Sequence, residues 1–160
     1  MYIHEAELTD ALLETLVALS RDWEAEMSCR GYRANARADI EGNRIFVAEE
    51  DARVLGYLFG HISRSERQSS VMPDGTAFFE VEELYVVPER RSGGIGAALF
   101  AYAEEAVRAD ADFMMLSTAT KNWRAVFHFY LDVMDMQFWS ARLFKRIGSE
   151  NAAPEDSAAR

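Results

Sequence analysis

The chain has 160 residues, 49% hydrophobic and 12% aromatic, enough to bury a core and most economically a single domain. Its 27 acidic residues against 17 basic ones give a formal charge of −10, which argues against nucleic acid or an anionic membrane as partner, since both are held mainly by clustered Lys and Arg. A single cysteine, Cys29, excludes an internal disulfide and a cysteine-rich metal site, and the absence of a signal-like start or a bilayer-length apolar window makes a cytoplasmic protein the expectation.

In chain order, Tyr2 to Ala6 reads as a first strand, and Thr9 or Asp10 can cap a helix whose stripe is Leu12, Leu16, Leu19, Trp23 and Met27. Gly31 and the arginines at 30, 33 and 37 suggest a break and a second short helix toward Ile40. Ile45 to Ala48 and Val54 to Phe59 flank the polar stretch Glu49 to Arg53 and form an antiparallel hairpin. After a polar segment with the turn signal Pro73-Asp74-Gly75, residues Thr76 to Val87 form the next strand.

That strand stops at Pro88, and Arg91-Ser92-Gly93-Gly94-Ile95-Gly96-Ala97 leads into a helix with the stripe Ile95, Leu99, Ala103, Val107. Glycines allow a sharp turn and close approach to a ligand, and a helix start leaves amide donors unpaired at its positive end, so the segment reads as an anion-binding turn suited to a diphosphate. A P-loop is excluded because Ala97-Ala98 follow Gly96 where Lys-Ser or Lys-Thr is needed, and a dinucleotide fingerprint starting at Gly94 is a weak match because Leu99 stands where a small residue is needed. Phe113 to Ser117 then reads as a fully buried strand parallel to its predecessor, Asn122 to Met134 as a helix on Trp123, Val126, Phe127, Tyr130 and Met134, and Met136 to Ile147 as a last strand. The composition of residues 148–160 is that of a disordered tail, leaving residues 1–147 as the folded domain.

The order Arg91-x-x-Gly94-x-Gly96 directly after Leu84-Tyr85-Val86-x-Pro88 resembles the acetyl-CoA signature of the GNAT superfamily of N-acetyltransferases. The resemblance implies an α/β fold with a central, mostly antiparallel sheet and a parallel strand pair splayed at the cofactor cleft. It also implies acetyl-CoA as cofactor, with its pantetheine arm paired to the backbone of Leu84, Tyr85 and Val86 and its diphosphate on the amides of Arg91 to Ala97. Acyl transfer from a thioester to an amine needs a proton acceptor for the amine, polarisation of the carbonyl and a proton for the departing thiolate. The family commonly takes that last proton from a tyrosine, here Tyr130, which also lies on an apolar stripe where an aromatic is ordinarily core. The family's asparagine-to-tyrosine spacing of seven points to Phe129, so either Trp123 takes the asparagine position or the helix holds an extra residue. Asn122 either bonds the pantetheine arm or caps the helix.

By strand alternation Glu80 and Glu82 point to one face and Glu83 to the other. The resemblance places general bases at or near Glu80 or Glu82, where the alternative is solvated rim charge. His4 and His61 have no metal-ligand spacing with one another, and no metal is expected. The expected acceptor is a primary amine of a small, cationic molecule, with a protein amine next, and a CoA-binding regulatory module without turnover as the rival. With one terminal strand where the family has a hairpin, a second subunit completing the acceptor wall is a further expectation.

Overall fold

The computed structural model describes residues 1–147. The chain forms two compact units, Met1–Lys121 and Asn122 onward. The tail expected over residues 148–160 lies outside the described residues.

The first unit runs β1 (Tyr2–Ala6), α1 (Asp10–Glu26), α2 (Arg37–Ile40), β2 (Arg44–Glu50), β3 (Arg53–Arg64), β4 (Ala77–Val86), a 3-10 turn over Pro88–Arg90, α3 (Ile95–Val107) and β5 (Phe113–Leu116). The five strands form one sheet in chain order, antiparallel from β1 to β4 and parallel between β4 and β5. This is the mixed α/β sheet with a single parallel pair that the family resemblance implies.

Helix α1 begins where the Thr9 hydroxyl accepts from the Leu12 N–H at 3.1 Å, and ends at Met27, whose φ of 52° is left-handed. Its buried face is Leu13, Leu16 and Ser20, while the expected Leu12 and Leu19 are half-buried and Met27 is exposed. The inward face is therefore rotated from the expected stripe. In α3, by contrast, Ile95, Leu99, Ala103 and Val107 are all buried, as their spacing requires. The two helices cover opposite sheet faces. Trp23 of α1 packs on Tyr85, which packs on Tyr57 of the adjacent strand, with ring centroids 5.5 and 5.7 Å apart. Tyr102 of α3 instead meets Phe46 at 6.1 Å, and Phe46 meets Phe79.

The feature that shapes the site is a bulge in β4. Gly60 pairs with Val81 and Phe59 with Glu83, so Glu82 is the extra residue. Gly60 is required opposite it: a Cβ there would lie 2.1 Å from the Glu80 carbonyl oxygen. The bulge also corrects the expected facing of the carboxylates. Glu80 pairs with His61 and Glu83 with Phe59, two β3 residues on one face, so Glu80 and Glu83 share a face. Alternation sends Glu83 away only in an unbroken strand.

Strand β5 is not fully buried as expected: Phe113 is exposed and Met114 to Leu116 are half-buried. It pairs with β4 through four residues only, from Phe78–Phe113 to Val81–Leu116. Among the described residues it is the sheet edge, and one of its sides has no strand to cover it.

The second unit holds α4 (Trp123–Phe127), which continues as a π-helical turn over His128–Val133. The Met134 N–H donates to the Phe129 carbonyl at 3.0 Å, closing a five-residue turn where an α-helix closes four. Tyr130 lies within this π-helical turn. The last strand expected over Met136 to Ile147 does not form. Its apolar residues come in adjacent couples, Phe138-Trp139 and Leu143-Phe144, which breaks the alternation a half-buried strand needs, and these side chains are exposed. No helix among the described residues is long and apolar enough to cross a membrane.

Candidate active site

Beyond Val81 and Leu116 the pairing of β4 with β5 ends, while β4 continues to Val86. The Val87 N–H donates to the Leu55 carbonyl at 2.9 Å, so Val87, Tyr85 and Glu83 turn their main-chain groups toward β3. Those of Leu84 and Val86 face the gap left by β5. An extended ligand can pair there as an added strand.

The gap runs directly into the glycine turn. Ser92 and Gly94 hold positive φ, 60° and 82°, and Gly94 is the residue just before α3. Among the described residues no hydrogen bond leaves the N–H groups of residues 92–97, the first protein-bound amide of the helix being Ala98 to Gly94 at 3.0 Å. Six consecutive donors at the positive end of a thirteen-residue helix suit a doubly charged anion. A Cβ built on Gly94 meets nothing within 4 Å, so its side is open rather than packed. A diphosphate with an extended arm fits this turn and strand edge.

Arg91 does not point into the turn. Its Nε donates to the Val86 carbonyl at 2.8 Å, its two terminal nitrogens reach Glu26 at 2.9 and 2.7 Å, and its plane lies over the Tyr85 ring at 5.4 Å. Glu26 keeps the Arg91 guanidinium firmly charged. Burial and the Glu26 charge push the Tyr85 phenol up to about 12. Arg91 thereby occupies one of the acceptors that an added strand would use.

The second feature is a cleft of about 930 Å³ on the α1 side of the bulge, walled by residues 31–36, the α2–β2 connection, Phe59, His61, Glu82 and Glu83. The wall is held in place by named bonds. The Arg30 N–H donates to the Ala119 carbonyl and the Lys121 N–H to the Ser28 carbonyl, at 2.9 and 2.8 Å, pinning the segment after α1. The Asn35 N–H then bonds the fully buried Ser20 hydroxyl at 2.9 Å.

Glu83 is 9% exposed. Its Oε2 accepts from the Tyr57 hydroxyl at 2.8 Å and from Asn35 Nδ2 at 2.9 Å, two neutral donors. Desolvation raises its carboxyl above the ordinary range, a rise those two bonds only partly offset. Burial and the Glu83 charge push the Tyr57 and Tyr32 phenols up in turn. The Tyr32 hydroxyl is close enough to feel that charge, but its geometry makes no hydrogen bond. Asn35, Tyr32 and Tyr57 carry no sequence signal, and Glu83 is assigned to the wrong face by alternation, because the bulge that gathers them leaves no sequence signature. The one available signal was a third carboxylate in an apolar strand.

Glu80 and Glu82 are brought together as expected, with His61 between them. One ligand atom from each lies within 4.8 Å of the others, His61 Nδ1 is 3.5 Å from Glu82, and it is 3.3 Å from the Asn43 amide oxygen. His61 and Glu82 are half-exposed at the cleft's rim, and Glu80 lies beside them, half-buried. In the second unit Tyr130 is half-buried within the π-helical turn, its ring 4.9 Å from that of Phe129. Asn122 precedes α4 and makes no side-chain capping bond to it. His128 forms an exposed pair with Asp132 at 2.7 Å, a helix-surface role.

The sequence matches the family model described as the Acetyltransferase (GNAT) family over residues 8–146. No curated protein matches it by sequence. Among solved structures, it is similar to a tetramutant of the BH1408 protein of Bacillus halodurans, at TM-score 0.71 and 22% identity over 92% of this chain and 100% of that one. It is also similar to the aminoglycoside N-acetyltransferase AAC(6')-Iy in complex with CoA, at 0.63 and 16% over 92% and 100%. A third is an aminoglycoside acetyltransferase, HMB0005, from an uncultured soil metagenomic sample, at 0.65 and 18% over 94% and 100%.

Proposed function

Because the chain belongs to the GNAT acetyltransferase family, whose cofactor is acetyl-CoA, we propose that it acetylates a primary amine of a small cationic molecule held in the cleft beside Glu82 and Glu83. The observation that carries this reading is the row of unbonded N–H groups from 92 to 97, continuous with the open edge of β4 and adjoining an acidic cleft.

Acetyl-CoA supplies the acetyl group as a thioester, whose carbon–sulfur bond is exchanged for a bond to the amine nitrogen. The amides of Ser92, Gly93, Gly94, Ile95, Gly96 and Ala97 hold the diphosphate, with Arg91 beside them, and Leu84 and Val86 present the strand edge to the pantetheine arm, Tyr85 between them being turned to β3 rather than to the arm. Asn122 bonds that arm. Glu82 or Glu80, next to His61, takes the surplus proton of the amine directly or through water. Tyr130 gives a proton to the departing sulfur. The named relatives that acetylate aminoglycosides support a small-molecule acceptor.

The test is thiol release from acetyl-CoA with purified protein and a broad amine library. Release stimulated by particular amines is expected. Cofactor binding with no amine-stimulated release across the library would instead make the chain a CoA-binding regulatory module.

A further inference from the structure

Five carboxylates, Glu24, Asp39, Glu41, Glu82 and Glu83, line the cleft against one arginine, Arg33. Two of the five are already engaged. Glu41 pairs with Arg37 at 2.9 Å, and Asp39 accepts from the Ala36 N–H at 2.7 Å. Glu82 has His61 and the like-charged Glu80 near it, and Glu83 only neutral donors, so among the described residues neither has a lysine or arginine partner. A carboxylate as buried as Glu83 is costly to hold ionised without a cation.

An acceptor with a single amine does not answer that demand. Its nitrogen must shed a proton to become a nucleophile, and at that moment it brings no charge to the wall. A molecule with a second amino group keeps an ammonium after the first is deprotonated, and that ammonium is the complement Glu83 lacks.

We propose that the acceptor is at least a diamine, with one amino group presented for acetylation near Glu80 and Glu82 and another held as an ammonium by Glu83 between Tyr57 and Asn35. The inference rests on the acetyltransferase reading and narrows its acceptor class. Glu83 is then a specificity residue. A charge-assisted bond of this kind is worth about tenfold or more in kcat/KM.

Linear and sugar-borne diamines of graded length, each beside the monoamine lacking its second nitrogen, provide the test, by steady-state thiol release and by calorimetric binding. Diamines preferred by about tenfold or more over matched monoamines, with the preference lost in Glu83→Gln, support the proposal. Glu83→Asp, which keeps the charge, distinguishes that loss from a packing defect by retaining part of the preference. Equal kcat/KM for each matched pair overturns the diamine requirement while leaving amine acetylation standing. No release with any amine overturns acetylation itself, and calorimetry then decides separately: diamines that bind wild type but not Glu83→Gln sustain the Glu83 site, and diamines that fail to bind overturn it.

Discussion

Neutralising Glu26 should tighten cofactor binding, because Glu26 is what holds Arg91 across the strand edge. In this structure Arg91 spends its Nε on the Val86 carbonyl while Glu26 grips its terminal nitrogens at 2.7 and 2.9 Å. The pair is partly solvated, with Arg91 42% and Glu26 22% exposed, so its worth is the modest one of a screened ion pair, about 0.5–1 kcal/mol. Releasing Arg91 frees the Val86 carbonyl and removes a negative charge from the neighbourhood of an incoming diphosphate. Glu26→Gln is therefore expected to lower the Kd for coenzyme A by about two- to fivefold. Isothermal calorimetry at moderate salt measures it, with Arg91→Ala as the companion that loses the cation and binds more weakly. If Glu26→Gln binds coenzyme A no better than wild type, the contact between Arg91 and Val86 does not compete with the cofactor and the reasoning fails.

Gly94→Val forces a β-branched residue into a φ of 82° at the mouth of the turn; coenzyme A affinity should fall by about tenfold or more in calorimetry, with unfolding showing that the fold survives. Tyr130→Phe removes a proton donor only, so turnover should drop by about a hundredfold with coenzyme A affinity retained, and wild-type turnover would make the residue structural. Glu83 carries a raised carboxyl, so the native state binds its proton more tightly than the unfolded chain does. Its stabilising effect is complete below the ordinary glutamate value of 4.5 and is lost as pH rises through the raised native value. Urea unfolding of Glu83→Gln, which cannot ionise, should therefore gain on wild type as pH climbs through that window and level off above it; parallel curves for the two proteins would contradict the burial cost assigned to Glu83.

Local rules carried the sequence reading furthest where they act without help from distant residues. The stripe of α3 and the glycines before it were legible because helical period, proline and φ requirements are written within one short segment. The cleft was not, since its wall draws on residues 24–43, Phe59, His61 and β4, which meet only after folding. Net charge announced an acidic surface without saying where it lies. The bulge at Glu82 was hidden for the same reason: it is a property of register against Gly60, and one inserted residue moved Glu83 from the face opposite Glu80 to the same face as Glu80, where it lines the cleft. At the C-terminal end the apolar content of Met136 to Ile147 suggested a strand, yet its paired aromatics lack the alternation that would give it a buried side. The π-helical turn over His128–Val133 was not legible, because a five-residue turn has no sequence pattern of its own.

Cofactor binding depends on main-chain donors at residues 92–97 that have no acceptor among the described residues. Backbone amide resonances followed during titration with coenzyme A test this most directly. The N–H signals of residues 92–97 should shift furthest and gain protection from exchange, together with those of Leu84 and Val86. Saturating coenzyme A that leaves residues 92–97 unmoved, while signals elsewhere respond, would contradict the account.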